Sequence, residues 1–141
     1  MAESNKMRLS IITPERRLYD SMVEMVIMRT AMGDIGVMYG HTPLTTSLAP
    51  GVMRILDGDN ELRAVVFGGF AEISAESINI LSDSAEWPDE IDKNRALAAK
   101  ERAERRLAEA STSVDANRAK LALMRALVRI DVSSNNSQTH V

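Results

Sequence analysis

Apolar and polar residues alternate in short runs through the first half of the chain, which is the period of a strand with one face turned to a core. Met7, Leu9 and Ile11 fall on one side of such a run, and Val23, Met25 and Ile27 fall on one side of the next. The pattern predicts strands at 7–12, 22–29, 35–39, 51–56, 61–67 and 77–81. Between them stand Thr13-Pro14, Met32-Gly33-Asp34, Ala49-Pro50-Gly51, Asp57-Gly58-Asp59-Asn60 and Gly68-Gly69, residue types that accept tight-turn backbone angles. Many short strands with frequent turns predict a sandwich or barrel, antiparallel for the most part.

After Trp87-Pro88 the pattern changes. The chain becomes rich in Ala, Arg, Lys, Glu and Leu and contains no further Gly or Pro, as a helix interior requires. One helix is predicted from a cap at Asp89, with Glu90 and Asp92 in its first turn, to about residue 110. A second is predicted over 114–131, and a loop as short as 109–113 makes the two antiparallel. Leu97, Ala103, Leu107 and Ala110 would then face Leu121, Ala122 and Val128. The expected class is α+β: a β-sandwich domain over 1–87, a two-helix hairpin over 88–132, and a polar tail over 133–141 expected to be disordered.

Composition narrows the function. At 141 residues, 45% apolar and 26% charged, the chain has the balance of a soluble globular protein. A formal charge of −3 gives no general attraction to nucleic acid or anionic lipid. The absence of cysteine excludes disulfides, thiolate metal sites and thiol nucleophiles. No window reaches the length of a membrane span, and the first residues lack the basic start and apolar run of a signal peptide.

Catalytic groups are sparse. The two histidines, His41 in a Gly/Pro loop and His140 in the tail, assemble no triad, and neither GxxxxGK[ST] nor GxGxxG is present. The reading is a non-catalytic protein that works by binding partners. More informative are the arginines: Arg95, Arg102 and Arg106 sit at offsets 0, 7 and 11, and Arg118, Arg125 and Arg129 repeat those offsets. At about 100° per residue these offsets return to nearly one direction, so each helix carries a narrow arginine stripe. Such stripes form a solvated helix face, or meet a phosphate-bearing ligand or an acidic segment of another protein.

Two stretches connect the chain to a family. Gly33-Asp34-Ile35-Gly36, continuing to Gly40-His41-Thr42-Pro43-Leu44, resembles the signature of the ε subunit of F-type ATP synthases, G-[ED]-[IL]-G followed by G-H-x-P-L. Ile91-Asp92-Lys93-Asn94-Arg95-Ala96 is similar to the [IL]DxxRA motif that binds ATP in some bacterial members, and the order of elements agrees over nearly the whole chain. Tyr39 stands where many members have proline.

The resemblance implies a peripheral subunit on the cytoplasmic face of the bacterial plasma membrane. It sits in the central rotor, contacts the γ subunit and the c ring, and couples ion flow to the catalytic head. By position Asp34 and His41 match the loop facing the c ring. The hairpin is implied to be a mobile inhibitor of ATP hydrolysis that meets the catalytic β and α subunits when extended. ATP, with or without Mg, is implied as a regulatory ligand held by Glu86, Ile91, Asp92, Arg95, Ala96, Arg102, Arg125 and Arg129. With no catalytic base or Walker lysine beside them, the nucleotide would be sensed and not cleaved.

A free-standing ATP-sensing module is the rival reading, and a coiled-coil or nucleic-acid arm is a third that short helices and an acidic total disfavour. A rotor subunit should expose an apolar patch for its partner, and the methionines Met22, Met25, Met28, Met32 and Met38 suit such a surface. The isolated chain is expected to be a monomer.

Overall fold

In the computed structural model residues 5–134 are described, and the chain divides into two compact units, one ending at Glu86 and the other beginning at Trp87. The first holds ten strands: β1 (Met7–Ile12), β2 (Arg17–Val23), β3 (Met25–Thr30), β4 (Gly33–Met38), β5 (Leu44–Ser47), β6 (Gly51–Asp57), β7 (Asn60–Val66), β8 (Phe70–Ile73), β9 (Ser77–Leu81) and β10 (Ala85–Glu86). They form two five-stranded sheets, ordered β2-β1-β9-β8-β5 and β10-β7-β6-β3-β4. All pairings between these strands are antiparallel except one: β1 and β9 run parallel, with Arg8 opposite Ser77 and Ile12 opposite Leu81. Leu9, Ile11, Ile78 and Ile80 of the first sheet and Val26, Met28, Met53 and Ile55 of the second are buried, together with Phe67.

The stretch 22–29 is two strands rather than one. Glu24 interrupts it, its amide donating to the Leu56 carbonyl at 3.0 Å, and this extra residue reverses the alternation. Val23 points into the core at the end of β2, whereas β3 buries Val26 and Met28 and leaves Met25 and Ile27 half-exposed. A slip of one residue moves every side chain to the other face, so Val23, Met25 and Ile27 do not share one. The strands β2, β5, β8 and β10 carried too little alternation to be read in advance: β2 mixes in Arg17, Asp20 and Ser21, and the others are four residues or fewer.

The Gly68-Gly69 pair before β8 has φ of +80° and +95°. A side chain at Gly69 would strike the Leu81 carbonyl. Two glycines are thus needed for the backbone to pass close enough for Phe70 to pair with Leu81.

The second unit opens with a 3-10 turn, Pro88–Glu90, followed by α1 (Lys93–Glu109) and α2 (Ser113–Ser134). The cap of α1 is Asp92, not Asp89: its Oδ1 accepts from the amides of Asn94 (2.9 Å) and Arg95 (3.1 Å). Asp89 lies instead in the 3-10 turn, where Glu90 Oε1 accepts from the Trp87 amide at 2.8 Å. Thr112 Oγ1 caps α2 by accepting from the Asp115 amide at 3.1 Å.

The hairpin buries Ala96 and Ala103 on α1 and Ala119 and Ala126 on α2, both pairs seven apart, together with Val132 near the end of α2. Leu97 and Leu121, expected inside, are 38% and 46% exposed, because each lies well round its helix from the alanine line. The far face of α2 leaves Val114, Leu121, Met124 and Leu127 exposed. Helix α2 also runs beyond the expected end at 131, and Ser133 Oγ donates to the Ile130 carbonyl at 3.1 Å. Residues 133 and 134 are therefore helical, and the remainder of the expected tail, 135–141 with His140, lies outside the described residues.

Candidate functional site

The nucleotide candidates are distributed over both units. Glu86 belongs to the first, in β10, where it pairs with Val65 of β7. The others lie in the hairpin unit. The Ile91 amide closes the 3-10 turn on the Pro88 carbonyl at 3.2 Å, and the Asp92 carboxylate is committed to its two capping bonds. Ala96 is 3% exposed within the alanine seam, so it acts there as packing. Arg95 and Arg102 are exposed on α1, whereas Arg125 and Arg129 on α2 are half-buried.

Antiparallel helices joined at 110–112 bring Ala96 level with Ala126 and Ala103 level with Ala119. Arg95, Arg125 and Arg129 thus lie near one end of the hairpin, and Arg102 lies about 10 Å further along α1 at 1.5 Å per residue. On α2 the Arg125 Nε is enclosed and has no hydrogen-bond partner among the described residues. A buried donor left unsatisfied is costly, and a phosphate or carboxylate oxygen would satisfy it. The arginines therefore fit a polyphosphate, while Asp92 and Ala96 already have structural work.

At the other end of the hairpin the stripes meet again. Arg106 and Arg118 line a cleft of about 350 Å³ together with Glu109 and Asp115, acidic groups that offset the like charges.

Asp34 and His41 occupy opposite ends of β4. Asp34 pairs across the hairpin with Arg29, their side chains 3.0 Å apart, and the guanidinium hydrogen bond holds the Asp34 carboxyl below its ordinary range. His41 follows the other end, its Nδ1 2.6 Å from the Thr42 carbonyl. The four steps along the strand from Asp34 to Met38 alone span about 13 Å.

A surface that sequence reasoning caught only through its methionines lies on the outer face of the second sheet. Met25 of β3 stands directly between Met38 of β4 and Leu56 of β6, and Ile27 stands between Gly36 and Arg54. A Cβ at Gly36 would come within 2.7 Å of the Met25 methyl, so glycine lets Met25 lie across the strand. The resulting groove of about 430 Å³ is lined by Met25, Met38, Tyr39 and Leu56, with Asn5, Glu24 and Gly58 also in its wall. Met38 is 57% exposed. The remaining methionines divide: Met28 is core, Met22 lies exposed on the other sheet, and Met32 tips the β3–β4 turn at 92% exposure.

Beside the groove, Glu61 holds Arg54 (2.7 Å) and Arg63 (2.9 Å). The hydrogen bond from Arg54, helped by Arg63, lowers the Glu61 carboxyl to about 2. Among the described residues no group of three or more His, Cys, Asp or Glu could hold a metal ion, and no helix is long and apolar enough to cross a membrane.

A β-sandwich bearing an apolar outer groove, followed by a separate helical hairpin with arginine stripes, defines a binding protein of two parts. Both parts are matched in order by family models, residues 6–88 by the ATP synthase, Delta/Epsilon chain, beta-sandwich domain and residues 89–134 by the ATP synthase, Delta/Epsilon chain, long alpha-helix domain. The chain belongs to the ATP synthase delta/epsilon chain family. It is 46% identical to the ATP synthase epsilon chain of Bacillus velezensis over 91% of its own length and 97% of that protein's. To the epsilon chain of Brevibacillus brevis it is 46% identical, covering 92% of this chain and 98% of that one. Its fold resembles a chain in the mitochondrial ATP synthase of Euglena gracilis, with a TM-score of 0.77 at 21% identity over 94% of this chain and 81% of that one. A chain in the central stalk and c-ring structure of Tetrahymena thermophila ATP synthase gives 0.62 at 13% identity, over 94% and 99%.

Proposed function

We propose that this chain is the non-catalytic epsilon subunit of an F-type ATP synthase, part of the central-stalk rotor, peripheral to the membrane on its cytoplasmic face. The observation that carries this reading is the agreement with epsilon chains along both units and nearly their full length. The outer groove of the second sheet supports a rotor subunit over a free ATP-sensing module, since a free module gains nothing by leaving Met38, Met25 and Leu56 uncovered. In this reading the sandwich docks on the γ subunit and the c ring, with Asp34 and His41 turned to the ring. Substituting Met38→Glu places a charge in the groove at an exposed position. It should sharply reduce co-purification with γ and the c ring while the melting temperature stays within a few degrees of wild type. Undiminished co-purification would remove the groove from the interface.

The hairpin is the regulatory part. When it extends, its arginine stripes and the apolar far face of α2 would meet the catalytic subunits and block hydrolysis. ATP, when bound, supplies negative charge and no reaction: Arg125 and Arg129 on α2 and Arg95 and Arg102 on α1 would hold its phosphates, with Ile91 near the base. At ten times its dissociation constant the nucleotide shifts the balance by only about 1.4 kcal/mol, so the two hairpin states must be close in energy. Isothermal titration tests this part. Wild type should bind ATP one to one, and Arg125→Ala should bind at least about tenfold more weakly with an unaltered thermal transition without ligand. Equal affinities would discard the assigned site.

A further inference from the structure

The hairpin joining β6 to β7 turns through Gly58 and Asp59, with Asp57 and Asn60 as its closing pair. Aspartate followed by glycine is the dipeptide in which the next backbone nitrogen reaches the side-chain carboxyl most freely, because glycine has no Cβ to hinder the approach. We propose that Asp57-Gly58 is an aspartate isomerisation site which the fold holds closed through Glu24 and Lys6.

The chemistry needs no partner other than water. The Gly58 nitrogen bonds to Asp57 Cγ, and one carboxyl oxygen leaves as water, carrying the amide proton and the carboxyl proton. The product is a cyclic imide. Water then adds at the Asp57 main-chain carbonyl and the C–N bond there breaks, so the chain continues through the side-chain carbonyl as isoaspartate. One water leaves and one returns, and nothing is oxidised.

The first step requires a neutral carboxyl, which can lose hydroxide, and an amide free to surrender its proton. The folded protein ties down both reacting groups. The Gly58 N–H donates to Glu24 Oε1 at 2.7 Å, so the nucleophile is tied to a neighbouring strand boundary and faces a negative charge that disfavours losing the proton. Lys6 Nζ stands 2.9 Å from Asp57 Oδ1, an ion pair that restrains the carboxyl from swinging toward the Gly58 nitrogen. Gly58 itself is fixed at φ +61° by strand pairing on both sides of the turn.

Glu24 therefore has a role that its sequence context does not announce: it guards a reactive peptide bond 34 residues away. Failure of the guard would lengthen the main chain by one carbon beside Asn60, in a turn whose Gly58 shares the groove wall with Met25 and Leu56.

The test is to age the full-length protein beside its Glu24→Ala and Glu24→Gln variants at neutral pH and physiological temperature. Isoaspartate in the peptide containing Asp57 is measured by enzymatic methylation and by electron-transfer fragmentation. Glu24→Ala should isomerise about tenfold faster than wild type, the factor expected for losing a charge-assisted hydrogen bond, and Glu24→Gln, which keeps an acceptor, should fall between. Wild type unfolded in urea should age at least as fast as Glu24→Ala. A variant that is folded by circular dichroism and ages at the wild-type rate overturns the guard, and Glu24→Gln decides on the same criterion if Glu24→Ala does not fold. An unfolded wild type ageing no faster than the native protein overturns the site.

Discussion

Glu61 lies opposite Leu56 on β7, and its carboxylate bridges Arg54 of β6 and Arg63 of its own strand. Arg54 and Arg63 are themselves cross-strand neighbours, a like-charge pair that would repel without the carboxylate between them. Because the folded value of Glu61, about 2, lies below the ordinary 4.5, the unfolded chain binds its proton more tightly than the folded one. The stability that Glu61 supplies is full above pH 4.5 and fades as pH falls toward 2. Urea unfolding of wild type and Glu61→Gln at about pH 6 and about pH 3 should show the wild-type advantage shrinking at the lower value. An advantage that does not change with pH would mean that the bridge contributes packing and not charge. Asp34 with Arg29, and Asp20 with Arg8, have shifts of the same sign, each caused first by the guanidinium hydrogen bond.

Asp92 shows how an element settles between two plausible beginnings. Three acidic residues, Asp89, Glu90 and Asp92, precede α1, and only Asp92 offers its oxygen to the amides of the first turn. Asp92→Ala should lower the stability of the hairpin unit by about 1 kcal/mol, while Asp89→Ala should change it by much less. Thermal melting followed by helical circular dichroism compares them, and equal effects would contradict the capping assignment. The limits of β1 and β9 were legible in the sequence because Met7, Leu9 and Ile11 alternate with Arg8 and Ser10 in the one, and Ile78 and Ile80 with Ser77 and Asn79 in the other, as was the composition change that separates helices from strands. The break at Glu24 was not legible, since an apolar run continues on both sides of it and only the Leu56 carbonyl in the neighbouring strand makes it a boundary. The alanine seam was read in advance only at Ala103: larger apolar residues attract attention as core, yet close helix approach selects the smallest side chain, leaving Leu97 and Leu121 outside.

For the whole molecule, the division of labour between the units gives a direct experiment. A chain ending after Glu86 should still assemble with γ and the c ring, and ATP hydrolysis by the assembled complex should rise relative to the full chain because the hairpin proposed to inhibit it is gone. Unaltered hydrolysis would remove the hairpin from regulation. At this scale the family was readable from the Gly33 to Leu44 signature and the order of elements, whereas the outer groove was only half readable. Its methionines were visible as a cluster, but Leu56 and Tyr39 join Met25 and Met38 through pairing register and the open space over Gly36, which no single segment encodes.

The parallel pairing of β1 with β9 has a consequence for how the protein is made. Of the described strands β1 is synthesised earliest, yet it is an inner strand of its sheet, and one of its two neighbours follows some 70 residues later. The sandwich therefore cannot close during most of its own translation, and β1 with β2 must wait as an incomplete hairpin until Leu81 has emerged. Deleting β1 would be equally disruptive, because it would remove an inner strand of a sheet and leave β2 with no strand to pair with in that sheet.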